Sequence, residues 1–299
     1  MAKFIPDSST RRWVVITPSR AGRPEDGGKQ QAVNGANGKV CAFCVGNESL
    51  TPPEVWRLGG EGVWNQPGWL VRVVPNKYSI TDIHEVIIHS PEHNKDIEEL
   101  SLEQVELIFR VYRQRYQTHE QDGQVMIFCN HGSHAGASLT HPHSQLAVLP
   151  RQINLDTLVR EPFTNLVLEN TFFNVYCPDF SQWPYEVWIA PKDKPGREEN
   201  RFKTVTYGEI TDEEIKDLAS ILQTTLKKLA KISALPKVKK LNRDEEFAYN
   251  YYIYHGQNWY LRIIPRFVHR AGFELGTGLS VNPVDPSVAG QELKEIQET

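Results

Sequence analysis

Residues 136–145, Gly-Ala-Ser-Leu-Thr-His-Pro-His-Ser-Gln, put two imidazoles, an amide and hydroxyls next to flexible glycine backbone. Residues two apart on a strand point to one face, so His141, His143 and Gln145 are expected as a polar row on an extended segment. The small residues Gly132, Gly136 and Ser138 let backbone amides approach an anion closely, as a phosphate cradle requires. A neutral imidazole beside such a cradle can attack phosphorus and form a phosphoramidate. The chemistry expected is nucleotidyl transfer. Cys41-Ala-Phe-Cys44 has a spacing suited to gripping one metal ion, and the pattern around it lacks the strand and helix of a thioredoxin-like redox pair.

These residues need a scaffold, and the chain describes one twice. In the first pass His84–His89 reads as a strand, Ser101-Leu-Glu-Gln104 as a capping box opening a helix to about His119, and Val125–Cys129 as a strand. In the second, Tyr185–Ile189 reads as a strand, Thr211-Asp-Glu-Glu214 opens a helix, and Phe247–Tyr254 is again strand-like. The passes close alike, with Leu146-Ala-Val-Leu-Pro150 and Leu261-Arg-Ile-Ile-Pro265. An α+β fold is expected, with two pseudo-repeated strand-helix-strand units around antiparallel sheet, residues 1–150 forming one half and 151–299 the other. Aligning the closing strands sets Gly256 against His141, Asn258 against His143 and Tyr260 against Gln145, so only the first half should be catalytic.

The remaining candidates receive ordinary roles. Gly22–Lys39, Lys192–Arg201 and Pro236–Asp244 are polar or charged and read as exposed connections. Cys129 and Cys177 lie in apolar contexts and are expected in the core, and Tyr249, Tyr251, Tyr252 and Tyr254 as sheet filling. His131 and His134 read as loop surface and His255 as structural, while His84, His89, His119 and His269 carry no assigned role.

With 299 residues, 39% of them hydrophobic and 23% charged, the chain can bury a sizeable core, which disfavours disorder. Its 33 Lys and Arg against 37 Asp and Glu give a net charge of −4, which argues against a nucleic-acid partner. Four cysteines are too few for a disulfide scaffold and favour a reducing compartment. No segment approaches the roughly 20 apolar residues of a membrane span, and residues 1–20 lack the core of a signal peptide, so a cytoplasmic location is expected.

The 136–145 segment resembles the active-site motif of galactose-1-phosphate uridylyltransferases, a branch of the histidine triad superfamily. The resemblance extends through Trp13-Val-Val-Ile-Thr-Pro-Ser-Arg20-Ala-Gly-Arg23-Pro, Cys41–Cys44, Val71-Arg-Val-Val-Pro-Asn76-Lys77, Ser90-Pro-Glu-His93 and Ala271–Gly278. The last block and the modest length look closer to the branch that includes ADP-glucose phosphorylases. The resemblance implies a HIT-like fold with His143 as the nucleophile that covalently holds a nucleoside monophosphate. It implies one structural zinc per chain on Cys41, Cys44, His93 and His141, a closed set of two thiolates and two imidazoles.

Ser138 and Gln145 match positions that hydrogen-bond the reacting phosphate, joined by backbone around Asn130 and Gly136. Arg20 and Arg23 match phosphate-contacting arginines that reach in from the second subunit of a homodimer, and Asn76 and Lys77 match the segment beside the nucleoside. Tyr260 and Arg262 stand where longer family members carry histidines for a further metal, so that site is expected to be absent. The activity implied is UDP-glucose:hexose-1-phosphate uridylyltransferase, a transferase of galactose and carbohydrate metabolism that takes a nucleotide sugar and a sugar 1-phosphate. Two alternatives accompany it: an ADP-glucose or dinucleoside polyphosphate phosphorylase with phosphate as acceptor, and a nucleotide-binding zinc protein without catalysis.

Overall fold

The computed structural model describes residues 2–7, 12–22, 40–60, 63–153, 155, 163–192 and 206–297. Arg23, the remainder of the 22–39 loop after Gly22 and most of the 192–201 connection lie outside them. The chain forms two compact units, Met1–Cys129 with Ser138–Val159, and Asn130–Ala137 with Arg160–Thr299.

In the first unit a small hairpin pairs β1 (Lys3–Pro6) with β2 (Trp13–Ile16), Lys3 opposite Ile16. Its main sheet is antiparallel and runs in the spatial order β3 (Trp56–Leu58), β4 (Val71–Pro75), β5 (His84–Ile88), β7 (His143–Leu149) and β6 (Gln124–His131). Helix α1 (Leu102–His119) joins β5 to β6 and buries Val105, Ile108, Phe109, Val111 and Tyr112. Ser101 caps it by accepting from the Gln104 N–H at 3.2 Å. The Gln104 side chain does not complete a capping box. It donates instead to the carbonyls of Leu70 at 2.9 Å and His89 at 2.8 Å, tying the helix start to the ends of two segments it must cover.

The second unit repeats this wiring. Its antiparallel strands run in the spatial order β8 (Leu166–Glu169), β9 (Phe173–Tyr176), β10 (Val187–Pro191), β12 (Leu261–Pro265) and β11 (Tyr249–Ile253). Helix α2 (Asp212–Ser233) makes the same connection as α1 and starts with a complete box: Glu214 N–H donates to Thr211 Oγ1 at 3.2 Å and Thr211 N–H to Glu214 Oε2 at 2.8 Å. Leu218, Leu222, Leu226 and Leu229 form its buried stripe. Fully burying each such leucine contributes about 1.5–3 kcal/mol.

The 236–244 stretch, expected to be an exposed connection, begins with a short helix α3 (Pro236–Leu241). Proline is tolerated in its first turn, and Val238 is fully buried. The short α4 (Gly272–Thr277) and α5 (Pro286–Glu295) complete the order of elements. Asn258 takes a left-handed φ of 58°, and β12 starts only at Leu261. Among the described residues, no helix is long and apolar enough to cross a membrane.

Candidate active site

The first unit gathers its chemistry where β7 begins. Of His141 and His143, expected on one strand, only His143 lies within it; between them Pro142 has no N–H to give to a ladder, though its carbonyl accepts from His89 N–H at 3.1 Å. The strand starts at His143, with Ile88 opposite it and Val86 opposite Gln145. His143 and Gln145 therefore share a face, and both line a cavity of about 420 Å³ together with Ser138, Asn76, Lys77 and Phe43. His141, just ahead of the strand, is not among the cavity-lining residues and is fully buried.

The His143 ring is oriented by two contacts. Its Nδ1–H donates to the His141 carbonyl at 2.8 Å, which puts the lone pair of the neutral imidazole on Nε2. Phe43 meets the ring edge-on, with centroids 5.3 Å apart. Gln145 is held through its oxygen, which accepts from Asn76 Nδ2 at 3.2 Å and His84 Nε2 at 3.0 Å. Ile80 N–H donates to His84 Nδ1 at 2.9 Å, so the other His84 nitrogen carries the proton given to Gln145. With its oxygen occupied, Gln145 presents its amide N–H groups as donors, suited to a phosphate oxygen.

Arg20 donates to the Tyr78 carbonyl at 2.7 Å, and Tyr78 N–H donates to Asn76 Oδ1 at 2.8 Å, which chains this arginine to the cavity wall. His84 and His89 carry no role on sequence grounds, yet the structure gives each one. His84 lies two residues from Val86 on β5, so the register places it on the face of Gln145, a relation visible only once strand pairing is known. His89 Nε2 lies 2.6 Å from Ser144 Oγ and 3.1 Å from Tyr112 Oη, a buried polar knot that fixes β7 from behind.

The four expected metal ligands converge. Cys41, Cys44, His93 and His141 bring their donor atoms within 4.8 Å of one another. Cys44 Sγ is 3.1 Å from His93 Nδ1 and 3.7 Å from His141 Nδ1, and Cys41 Sγ is 3.8 Å from His141 Nδ1. Tetrahedral zinc, with Zn–S of about 2.3 Å and Zn–N of about 2.0 Å, sets S···N near 3.6 Å, so the cluster fits such an ion. His141 Nε2–H donates to the Ser90 carbonyl at 2.9 Å, which frees Nδ1 for a metal and supplies the usual outer partner of a ligating histidine.

Burial pushes the His141 imidazole down to about 4, keeping it neutral. Burial, and then Cys41, push the Cys44 thiol up to about 12; a divalent cation favours the thiolate and reverses that bias. All four cysteines are free of disulfides, with Cys129 and Cys177 buried.

The second unit carries Asn130 and Gly136. Asn250 Nδ2 donates to Asn130 Oδ1 and to the Ala135 carbonyl, both at 2.8 Å, and Gly136 adopts φ 80° with open space where a Cβ would stand. His131, expected on a loop surface, ends a strand and stacks on Tyr249 at 4.6 Å. Arg262 is buried and forks onto Glu186 at 2.7 and 2.8 Å.

Comparison with known proteins agrees with this layout. Residues 81–150 match the family profile of the galactose-1-phosphate uridyl transferase N-terminal domain, which spans β5, α1, β6 and the His143 strand. The chain is 26% identical to the ADP-glucose phosphorylase of Arabidopsis thaliana, over 98% of this chain and 92% of that protein. It is 25% identical to the galactose-1-phosphate uridylyltransferase of Thermotoga maritima, over 96% of each. In fold it resembles the crystal structure of the Arabidopsis thaliana ADP-glucose phosphorylase with bound ADP-glucose, at a TM-score of 0.70 and 24% identity over 99% of this chain and 100% of that one.

Fold and matches together define a class, an α+β protein of HIT-like architecture. Within it, the resemblance to the galactose-1-phosphate uridylyltransferase family, including its ADP-glucose phosphorylase-like branch, is borne out along nearly the whole chain.

Proposed function

We propose that this protein is a nucleotidyltransferase working by double displacement through His143, most simply a UDP-glucose:hexose-1-phosphate uridylyltransferase. The observation that carries the reading is the His143 tautomer: a backbone acceptor holds Nδ1–H, and the ring that bears the Nε2 lone pair lines a cavity with Asn76, Lys77 and Gln145. Nε2 attacks the α-phosphorus of a nucleotide sugar, the N–P bond forms, and the P–O bond to the sugar 1-phosphate breaks. A phosphate oxygen of the acceptor then attacks the same phosphorus, and the P–N bond breaks to return His143. Gln145 and Ser138 donate to the phosphate as charge shifts, and Lys77 offsets its charge. Asn130 and Gly136 join the phosphate-binding set through their family match alone.

Cys41, Cys44, His93 and His141 would hold one zinc, which supplies structural cross-linking at the root of β7 rather than a reaction centre. Thiolate ligands need reducing conditions, in keeping with the cytoplasm. Arg20 and Arg23 are proposed, on the family match alone, to serve the neighbouring subunit of a homodimer, which requires Arg20 to exchange its bond to the Tyr78 carbonyl of its own chain for that site. Mixing Arg20→Ala with His143→Ala protein should then restore activity through hybrid dimers, and no recovery despite subunit exchange rejects action in trans.

Whole-length similarity to an ADP-glucose phosphorylase favours a second reading, in which the group transferred is AMP and the acceptor is inorganic phosphate. Intact mass after incubation with UDP-glucose or ADP-glucose separates the two. An acid-labile UMP adduct supports uridylyl transfer, and an AMP adduct moves the assignment to the phosphorylase. Neither adduct, with nucleotide still bound, leaves a binding protein without catalysis.

A further inference from the structure

A second set of metal-type donors lies wholly within the second unit. His134 sits on the tight turn Ser133–Ala135, Glu245 on the connection from α3 to β11, and His269 just after β12. Glu245 Oε2 is 3.1 Å from His134 Nδ1 and 3.6 Å from His269 Nε2, and the three donor atoms lie within 4.8 Å of one another. The two rings stand 5.8 Å apart at 62°, facing the same carboxylate.

His134 and Glu245 are carried on anchored backbone. The His134 turn is closed by Ala137 N–H to the Gly132 carbonyl at 3.2 Å, and Asn250 holds the Ala135 carbonyl from β11. Gly132 has φ 82°, and a Cβ there would lie 2.8 Å from that of Ala248, so the turn is seated directly on the segment leading into β11. Ahead of Glu245, Arg243 and Asp244 both take left-handed φ values, 59° and 60°. Such backbone costs of order 1–3 kcal/mol per residue and persists only where the surroundings impose it. Asn242 clamps the Glu245 backbone from both sides: its side-chain amide donates to the Glu245 carbonyl and its own carbonyl accepts from the Glu245 N–H, both at 3.1 Å.

We propose that His134, Glu245 and His269 form a second metal site, distinct from the cysteine cluster, that takes a divalent transition metal such as zinc, cobalt or nickel. Bonds of about 2.0–2.2 Å place adjacent ligand atoms about 3.0–3.6 Å apart, the separation already set on either side of Glu245. One carboxylate and two neutral imidazoles suit a borderline ion rather than magnesium or calcium, which take oxygen ligands. Three protein donors leave coordination positions for water. The side chains are 36%, 26% and 48% exposed in chain order, so the ion exchanges with solvent.

The test uses full-length protein whose cysteine cluster has been filled with zinc, titrated with Co²⁺. One further equivalent should bind, with weak visible absorption and no thiolate-to-cobalt charge transfer. His269→Ala and Glu245→Gln should each lose that equivalent while keeping the resident zinc and the melting profile of the metal-free second site. In the parent protein, Co²⁺ should also raise Tm, and in the variants it should not. The proposal is overturned if no further equivalent binds, if the only species formed shows charge transfer from Cys41 and Cys44, or if both variants bind cobalt as the parent does.

Discussion

The Nδ1–H of His143 donates to the backbone carbonyl of His141 at 2.8 Å, while His141 itself turns its Nδ1 toward Cys41 and Cys44. Two histidines separated by one proline thus divide the work: the first is positioned to anchor the chain, and its carbonyl sets the tautomer of the second. On the proposed mechanism, replacing His143 by Ala should lower nucleotide exchange at least about 10³-fold, because the proposed covalent intermediate is held on this residue. Metal content should stay at the parent level. Exchange kinetics with elemental analysis of the same sample checks both halves, and activity within tenfold of the parent removes His143 from the mechanism.

Gln145 is held by Asn76 and His84 so that its N–H groups point away from its partners. Gln145→Ala should cost roughly 10²-fold in kcat, the range for loss of one preorganised donor. His84→Ala should cost less and act by releasing Gln145, so kcat should fall while KM for the nucleotide sugar stays close to the parent value. Steady-state kinetics of the two single variants and the double variant reads this directly. If the two losses multiply in the double variant, the residues act independently and the positioning role fails.

Removing metal from the Cys41–His141 cluster should loosen the first unit. Cys44→Ser, or prolonged chelation, should lower Tm by more than about 5 °C, since four side chains from three separate segments lose their common partner. Differential scanning calorimetry with metal analysis is the check. A chain that binds no metal and melts unchanged would remove zinc from the proposal.

The buried Glu85 accepts from Arg115 Nε at 2.9 Å and lies 3.1 Å from His119 Nε2, whose other nitrogen faces Asp122 at 2.9 Å. Burial alone would raise the Glu85 carboxyl, but hydrogen bonds from His119 and Arg115 outweigh it and hold it below its ordinary range. The hydrogen bond to Glu85 raises His119, against burial and the Arg115 charge. A raised histidine contributes stability that is complete below its unfolded pKa of about 6.5 and is lost as pH climbs through the folded value. A lowered carboxylate contributes above about pH 4.3 and is lost as pH falls through its folded value. Urea denaturation across pH should show the parent losing stability on the alkaline side relative to His119→Gln. Parallel curves there would contradict the coupling.

Much of this is legible in residue order. The Ser101 and Thr211 caps, the 3.6-residue stripe of α2 and the paired closing strands are readable because local spacing alone dictates them. Cys41 and Cys44 are readable as a metal-gripping pair from their spacing, but His93 and His141 are reachable only through family resemblance, since nothing local joins residues up to 100 positions apart. His84, and the grouping of His134 with Glu245 and His269, escape because both depend on registers and turns that bring remote segments together. The His143–Gln145 part of the expected row is realised on one strand face, while His141 lies ahead of the strand, where Pro142 gives only its carbonyl to the ladder, accepting from His89 N–H at 3.1 Å.

The wiring of the two units is the same, yet the counterpart of His143 is Asn258, left-handed at φ 58° and three residues ahead of its strand. A histidine placed there would stand ahead of the strand, outside the kind of ladder that orients His143. Substitution at 258 alone would therefore supply an imidazole without the strand that aims it: the duplicated wiring repeats the scaffold, and the position of the strand start decides which copy can present a nucleophile.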